Sequence, residues 1–331
     1  MKVYHQNGTM SEREYFIDNI DSFEIQHDPT NTLELFFYPR DNLIRDLDLE
    51  LSHLLFKVVT LYFSDLNLYF KESSLLPVGL LRGGQNSDIT ISNNEFINLV
   101  KQLSSTVTNL YCHIYVGDYQ YLISTVQNLL LSVEHCYIQY FMQIAEIECP
   151  QRELNETIIV GSPQTRQLQF YLETFFIKLY SIMDLMVKIT YELENPIENF
   201  SGLTKLKSNG KLWGDKNKLR INKCKDTLFE NCETIKMIES LRNEVVHNTS
   251  WEFFPNVFLK YKNYQIVERY MMFPDFQEGR LSSAKNRKHF FSKNIKVNEK
   301  LVLIHDEFYQ RLLVTLRLII SNINSKNKST S

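Results

Sequence analysis

Glycine and proline are scarce in this sequence, 10 and 8 among 331 residues. A turn-rich β fold needs more chain breakers than that, so long helices are expected. Cysteine is sparse as well. The five present (Cys112, Cys136, Cys149, Cys224 and Cys232) form an odd set without C-x-x-C spacing, which argues against a disulfide framework and points to reduced, mostly buried thiols of a cytoplasmic protein. No stretch approaches an uncharged membrane span, and the opening residues, MKVYHQNGTMSEREYF, hold no apolar signal core; neither a membrane nor export is expected. Charge of one sign is also not in excess. A net charge of −3 provides no global field for a polyanion, so any such site has to be local.

Chemical signatures are missing in the same way. There is no G-x-x-x-x-G-K-S/T or G-x-G-x-x-G to cradle phosphates, and Arg82-Gly83-Gly84 with Asn86-Ser87-Asp88 reads as a turn. No H-E-x-x-H gathers the eight histidines, so no metal site and no cofactor is expected, and no G-x-S-x-G suggests a serine hydrolase. The alternating Asp46, Asp48 and Glu50 diverge on a helix and read as a solvated face. His135 and Cys136 are adjacent, but neighbours on a helix point about 100° apart, which favours packing over a nucleophile pair.

What the chain does have is apolar periodicity. Thr32 to Pro39 reads as a short strand after an Asp28–Asn31 turn, within an otherwise weakly patterned first 40 residues. Helical stripes follow. Ile44, Leu47, Leu51, Leu54, Val58 and Leu61 mark the first, and Ser92 with Glu95 offers a capping box for a helix from Phe96 to about Tyr115. Asp118 opens another, with Leu122, Val126, Val133, Tyr140 and Ile144 inward, and the polar run from Pro150 to Pro163 reads as a boundary or long loop. The most regular stripe runs Leu168, Leu172, Phe175, Leu179, Ile182, Met186, Ile189, Leu193; Phe176, Tyr180, Met183 and Val187 widen it as in the central helix of a bundle. Asp184 lies mid-helix, either exposed or a partner for a cation such as Arg242. After Trp251 the period changes to alternation around Lys262-Asn263, a hairpin, then a basic loop covers 277–294, and a last helix from Glu299 buries Ile304, Phe308, Leu312, Leu316, Ile319 and Ile323 before a frayed polar tail.

Two stretches carry chemistry. Residues 201–225 are strongly basic: Lys205, Lys207, Lys211, Lys216, Lys218 and Arg220 surround Trp213, with Asp215 the only acid. Such a loop suits a phosphate backbone and an unstacked base, although a solvated lysine-rich connector has the same composition. It leads into a helix, Glu233 to about Ser250, whose buried face is Ile235, Ile238, Leu241 and Val245. Glu239, Arg242, Asn243, Val246 and His247 fall on a second face, roughly 120° round. Asn243 and His247 are one turn apart, and Arg242 can reach across Val246.

Arg242-Asn243-x-x-x-His247, late in a helix of an all-helical context, resembles the signature of the HEPN superfamily: Arg, a polar residue, a few spacers, then His. The resemblance covers the C-terminal half and implies a HEPN-like helical bundle over residues 160–331; the alternation after Trp251 adds a small β-hairpin insertion at about 251–298 that the family does not imply, and the helical stripes before it make 1–155 a mostly helical region, for a mainly α fold overall. The resemblance further implies a metal-independent endoribonuclease whose composite site forms at a homodimer interface, in a toxin–antitoxin or antiviral defence setting with RNA as substrate and room for a protein antitoxin. Arg242, Asn243 and His247 would be catalytic and Glu239 supporting. An imidazole suits proton transfer near neutral pH and a guanidinium suits phosphate oxygens. Three further readings use the same residues: a non-catalytic dimeric RNA- or nucleotide-binding module, a purely structural helical partner within a defence or toxin–antitoxin complex, and an ordinary helix in which Arg242 pairs with a carboxylate and His247 caps the C-terminus.

Overall fold

The computed structural model describes residues 2–12, 24–27, 35–38, 41–82, 90–149, 156–287 and 289–329. The expected turns at Asp28–Asn31 and Gly83–Asp88 lie outside them. The fold is mainly α, with eight α-helices and three small antiparallel sheets among the described residues. None of these helices is long and apolar enough to cross a membrane. The chain divides into two compact units, Met1–Leu47 with Leu129–Ile182 and Lys225–Leu313, and Asp48–Asn128 with Met183–Cys224 and Val314–Ser331. Three long helices contribute to both: α5 (Leu110–Ala145), α6 (Pro163–Glu194) and α8 (Val297–Ser329).

The first unit opens with a four-stranded sheet in the order β2-β1-β3-β4, built from β1 (Lys2–His5), β2 (Met10–Glu12), β3 (Glu24–His27) and β4 (Leu35–Tyr38). Only β4 was legible as a strand, so the reading of residues 1–155 as mostly helical misses a sheet. Strands of three or four residues are too short to show alternation. The turn after β1 is docked on a later strand: Gly8 has φ +73°, and a Cβ there would lie 2.2 Å from the Arg269 carbonyl oxygen. Only glycine tolerates both the conformation and the approach.

Thr157–Val160, inside the expected boundary loop, is strand β5. It pairs with β6 (Val257–Lys262), which pairs with β7 (Gln265–Tyr270). Val257, Leu259 and Tyr261 of β6 are buried and alternate as expected. The turn falls at Asn263–Tyr264, both with positive φ (50° and 63°), which is the conformation that matches the twist of a two-residue hairpin. A second, two-residue ribbon, β8 (Phe276–Gln277) with β9 (Arg280–Leu281), extends the insertion beyond the single hairpin expected. The helical core of this unit gathers Tyr137 and Phe141 of α5, Phe175 and Phe176 of α6, Trp251, and Phe308 and Tyr309 of α8, all buried. His305 of α8 is fully enclosed there, its Nε2 2.5 Å from Glu134 of α5 and its ring against Tyr137 and Tyr309.

The second unit holds most of α1 (Asp41–Tyr62), then α2 (Leu66–Ser73), α3 (Val78–Arg82) and α4 (Asn93–Leu103). Ser92 and Glu95 form the anticipated capping box at α4. The expected helix from Phe96 to Tyr115 is interrupted, however. The hydroxyls of Ser104, Ser105 and Thr106 each donate to the carbonyl three residues back, competing with helical bonds, and α4 stops there. Helix α5 starts afresh at Leu110 rather than Asp118. A buried polar cluster ties α2 to α5: Glu72 accepts from Asn109 and faces His113 at 3.1 Å. Burial lowers the pKa of His113, and its hydrogen bond with Glu72 partly offsets that. All eight residues of the regular α6 stripe are buried across the two units. The last helix buries its six expected residues and runs on to Ser329, past the expected fraying point.

The insertion around β8 and β9 is held by Asp275. Its carboxylate accepts from Ser292 N and Oγ (2.8 and 2.6 Å) and from Lys293 N (3.0 Å). Burial works against the charged form, but those donors and Lys293 hold the pKa below the usual aspartate value. Asp275→Ala is expected to cost about 2 kcal/mol in urea or thermal unfolding. Because the folded pKa is lowered, the contribution of Asp275 is present above the unfolded value of about 3.9 and is lost as the pH falls through the folded one. The wild-type advantage over Asp275→Ala should therefore shrink below about pH 4.

Candidate functional site

Helix α7 (Glu233–Asn248) carries the Arg/Asn/His sequence in the first unit. Ile235, Ile238 and Leu241 are buried as expected, joined by Met237; Val245 is half-buried. The opposite side meets the insertion. Gly279 of the β8–β9 turn has φ +79°, and a Cβ there would stand 2.7 Å from both Glu233 O and Lys236 Cβ. Two residues on, Leu281 N donates to Ser240 Oγ (3.3 Å). Glycine thus lets the ribbon lie directly on the first turns of α7.

Arg242 and Asn243 are brought together. Arg242 Nη1 donates to Asn243 Oδ1 at 2.9 Å, and the guanidinium carbon lies 4.4 Å from the centre of the Tyr180 ring of α6. One edge of the guanidinium is thereby fixed and its plane is set against an aromatic face. Both side chains are half-buried, whereas His247, one turn after Asn243, is exposed near the end of the helix. Glu239 is half-buried on the same side as Asn243.

A cleft of about 540 Å³ opens between this side of α7 and the ribbon, lined by Lys236, Glu239, Ser240 and Asn243 together with Arg280 and Ser283. At roughly 100° per residue, Lys236, Ser240, Asn243 and His247 lie within an arc of about 60°. The cleft and the exposed histidine therefore share one stripe of the helix. Glu244 borders the cleft as well; it is buried and stands 3.4 Å from His289 Nε2. Sequence reasoning missed Lys236, Glu244, Arg280 and His289. The basic composition of residues 277–294 was a signal for the last two, but only the fold of the insertion assigns them to α7.

The basic loop belongs to the second unit. Carboxylates of α6 fold it by taking its backbone N–H groups. Asp184 accepts from Trp213 N (2.6 Å), Glu192 from Ser208 N (2.7 Å), and Glu194 from Arg220 N and Ile221 N (2.8 and 3.3 Å). Glu192 is buried and also accepts from the Tyr115 hydroxyl. Trp213 opens a short 3-10 turn (Trp213–Lys218) and is 1 % exposed. The aromatic expected to meet an unstacked base is therefore an anchor of the loop, with Lys216 Nζ 4.0 Å above its ring. Lys207 donates to the carbonyls of Asn195 and Pro196, Lys211 lies over Tyr191, and Lys218 pairs with Asp215 at 2.7 Å. Lys205 and Arg220 project from the loop as exposed residues. Much of this charge is spent on holding the loop together.

The His135–Cys136 pair is not a nucleophile and base. His135 is exposed, Cys136 is buried, and burial pushes its thiol up to about 11; the Cys112 thiol is likewise pushed up, to about 12. At pH 8 only about a thousandth of Cys136 would be thiolate, the reactive form. In native protein treated with iodoacetamide at pH 8, mass spectrometry should find Cys112 and Cys136 unmodified until denaturant is added, while the half-buried Cys149 and Cys224 react first.

No family model, curated protein or solved structure matches this chain.

Proposed function

We propose that α7 carries a metal-independent endoribonuclease site, completed when two copies of the chain pair, in keeping with the HEPN-like Arg242-Asn243-x-x-x-His247 sequence. The observation that carries this reading is the Arg242–Asn243 hydrogen bond, with the guanidinium backed by Tyr180 and an exposed histidine one turn beyond. Fixing one N–H of the guanidinium on Asn243 leaves its other donors for the oxygens of a phosphodiester. A charged fork held in advance loses little freedom when charge builds up on the phosphorus centre.

The reaction is an intramolecular displacement. The ribose 2′-oxygen attacks the adjacent phosphorus as His247 takes its proton; the bond to the 5′-oxygen breaks, and that oxygen receives a proton. The products are a 2′,3′-cyclic phosphate and a 5′-hydroxyl. One helix brings one histidine of this motif, and a two-fold axis would supply its copy as the acid. The exposed cations of the 201–225 loop, Lys205 and Arg220 among them, would contribute sequence-independent attraction for the RNA. A nuclease of this kind fits a defence or toxin–antitoxin role, in which a partner protein restrains it.

The test uses purified protein in EDTA with transfer RNA and mixed single-stranded RNA, and end-group analysis of the products. Wild type should yield cyclic phosphates. His247→Ala and Arg242→Ala should each lose about 10²-fold or more while retaining wild-type melting and oligomeric state. RNA left intact by all three proteins would refute the enzyme, and binding that persists through His247→Ala would then favour a non-catalytic RNA-binding module.

A further inference from the structure

We infer that the cleft between α7 and the β8–β9 ribbon is a nucleotide subsite for the RNA, with Lys236 and Arg280 receiving a phosphate that flanks the scissile one. The inference rests on the reading of α7 as an RNA-facing helix for the identity of the ligand.

Two cations border the cleft. Lys236 and Arg280 approach it from opposite walls, one from the helix and one from the ribbon, and neither forms an ion pair among the described residues. Of the two carboxylates bordering it, Glu244 is buried and turned toward His289, 3.4 Å away, and Glu239 is half-buried. Ser240, Ser283 and Asn243 add neutral donors and acceptors. Two cations, hydroxyls and an amide around a common space are what a phosphate with its attached sugar requires. The volume, about 540 Å³, falls within the usual range for small-ligand sites, roughly 300–1,000 Å³.

Position supplies the link to the chemistry. Lys236, Ser240, Asn243 and His247 occupy successive turns of one helical stripe. Lys236 to His247 spans about 16 Å of axis, room for more than one nucleotide of an extended strand. A strand laid along the stripe would thus have one phosphate near Asn243 and His247 and a neighbour under the ribbon. The ribbon is set in place by Gly279, whose close approach to Glu233 and Lys236 leaves no room for a side chain. The insertion therefore acts as the wall that fixes where the flanking nucleotide lies.

The experiment measures binding apart from cleavage. A short, fluorescein-labelled 2′-O-methyl oligoribonucleotide, which has no free 2′-hydroxyl to attack, is titrated with full-length wild type, Arg280→Ala, Lys236→Ala and Arg280→Lys at several salt concentrations. Each alanine variant at a cation should weaken binding about fivefold and reduce the slope of log K against log salt by about 0.7. Arg280→Lys should keep the slope. Arg280 is exposed, so its replacement should leave the melting temperature unchanged. Affinity and slope unaffected by both alanine variants would overturn the subsite, and cleavage of natural RNA by the same proteins would show that the nuclease reading survives. Loss of slope in the variants without cleavage by wild type would retain the subsite and overturn the nuclease. No binding by wild type at low salt would overturn both.

Discussion

A helix with little solvent contact along most of its length has to pack its apolar side chains and pair its carboxylates, and α6 imposes that demand on this protein. From Tyr171 to Glu194 none of its residues is exposed. Apolar side chains meet it by packing: Phe175 against Tyr137 and His305, and Phe176 against Trp251. The acidic side chains meet it by capturing backbone. Asp184, Glu192 and Glu194 take N–H groups at four places in the 201–225 loop, which gives a loop of low intrinsic order a fixed path. Leaving a carboxylate buried without such donors would cost several kcal/mol.

The same constraint recurs at buried carboxylates of other helices. Glu134 is matched by His305, Glu72 by Asn109 and His113, and Glu244 by His289. These pairings bring together elements far apart in sequence, so they specify which helix faces which as much as they stabilise. The Glu244–His289 pair is the one that bears on the candidate site. It places the segment after β9 beside α7. Arg242 is treated differently: its charge lies over Tyr180 and beside Asn243 rather than against a carboxylate, which leaves a cation able to meet a further anion.

Long apolar periodicities were legible because a helix repeats its environment every 3.6 residues and many residues vote for one phase. That is why α6 and α8 agree with expectation to the residue along their buried stripes. Short strands have no such redundancy, and the N-terminal sheet and β5 went unseen. The break between α4 and α5 was hidden because Ser104, Ser105 and Thr106 look tolerable in a helix; their hydroxyls end it through local bonds that the apolar pattern does not register. Trp213 illustrates the reverse error. Its lysine-rich neighbours suggested an exposed ring, whereas the carboxylates of α6 draw the surrounding backbone inward and bury it.

The sequence alone determined that the protein is mainly helical, which faces of its long helices are buried, and that Arg242, Asn243 and His247 share the end of one helix. Those follow from local spacing. Tertiary structure alone decided that Tyr180 lies beneath the Arg242 guanidinium and that Lys236 and Arg280 border one cleft. These facts depend on contacts between segments tens of residues apart, set by the burial of α6 and by the glycine at position 279. A pattern read along the chain has no access to such contacts.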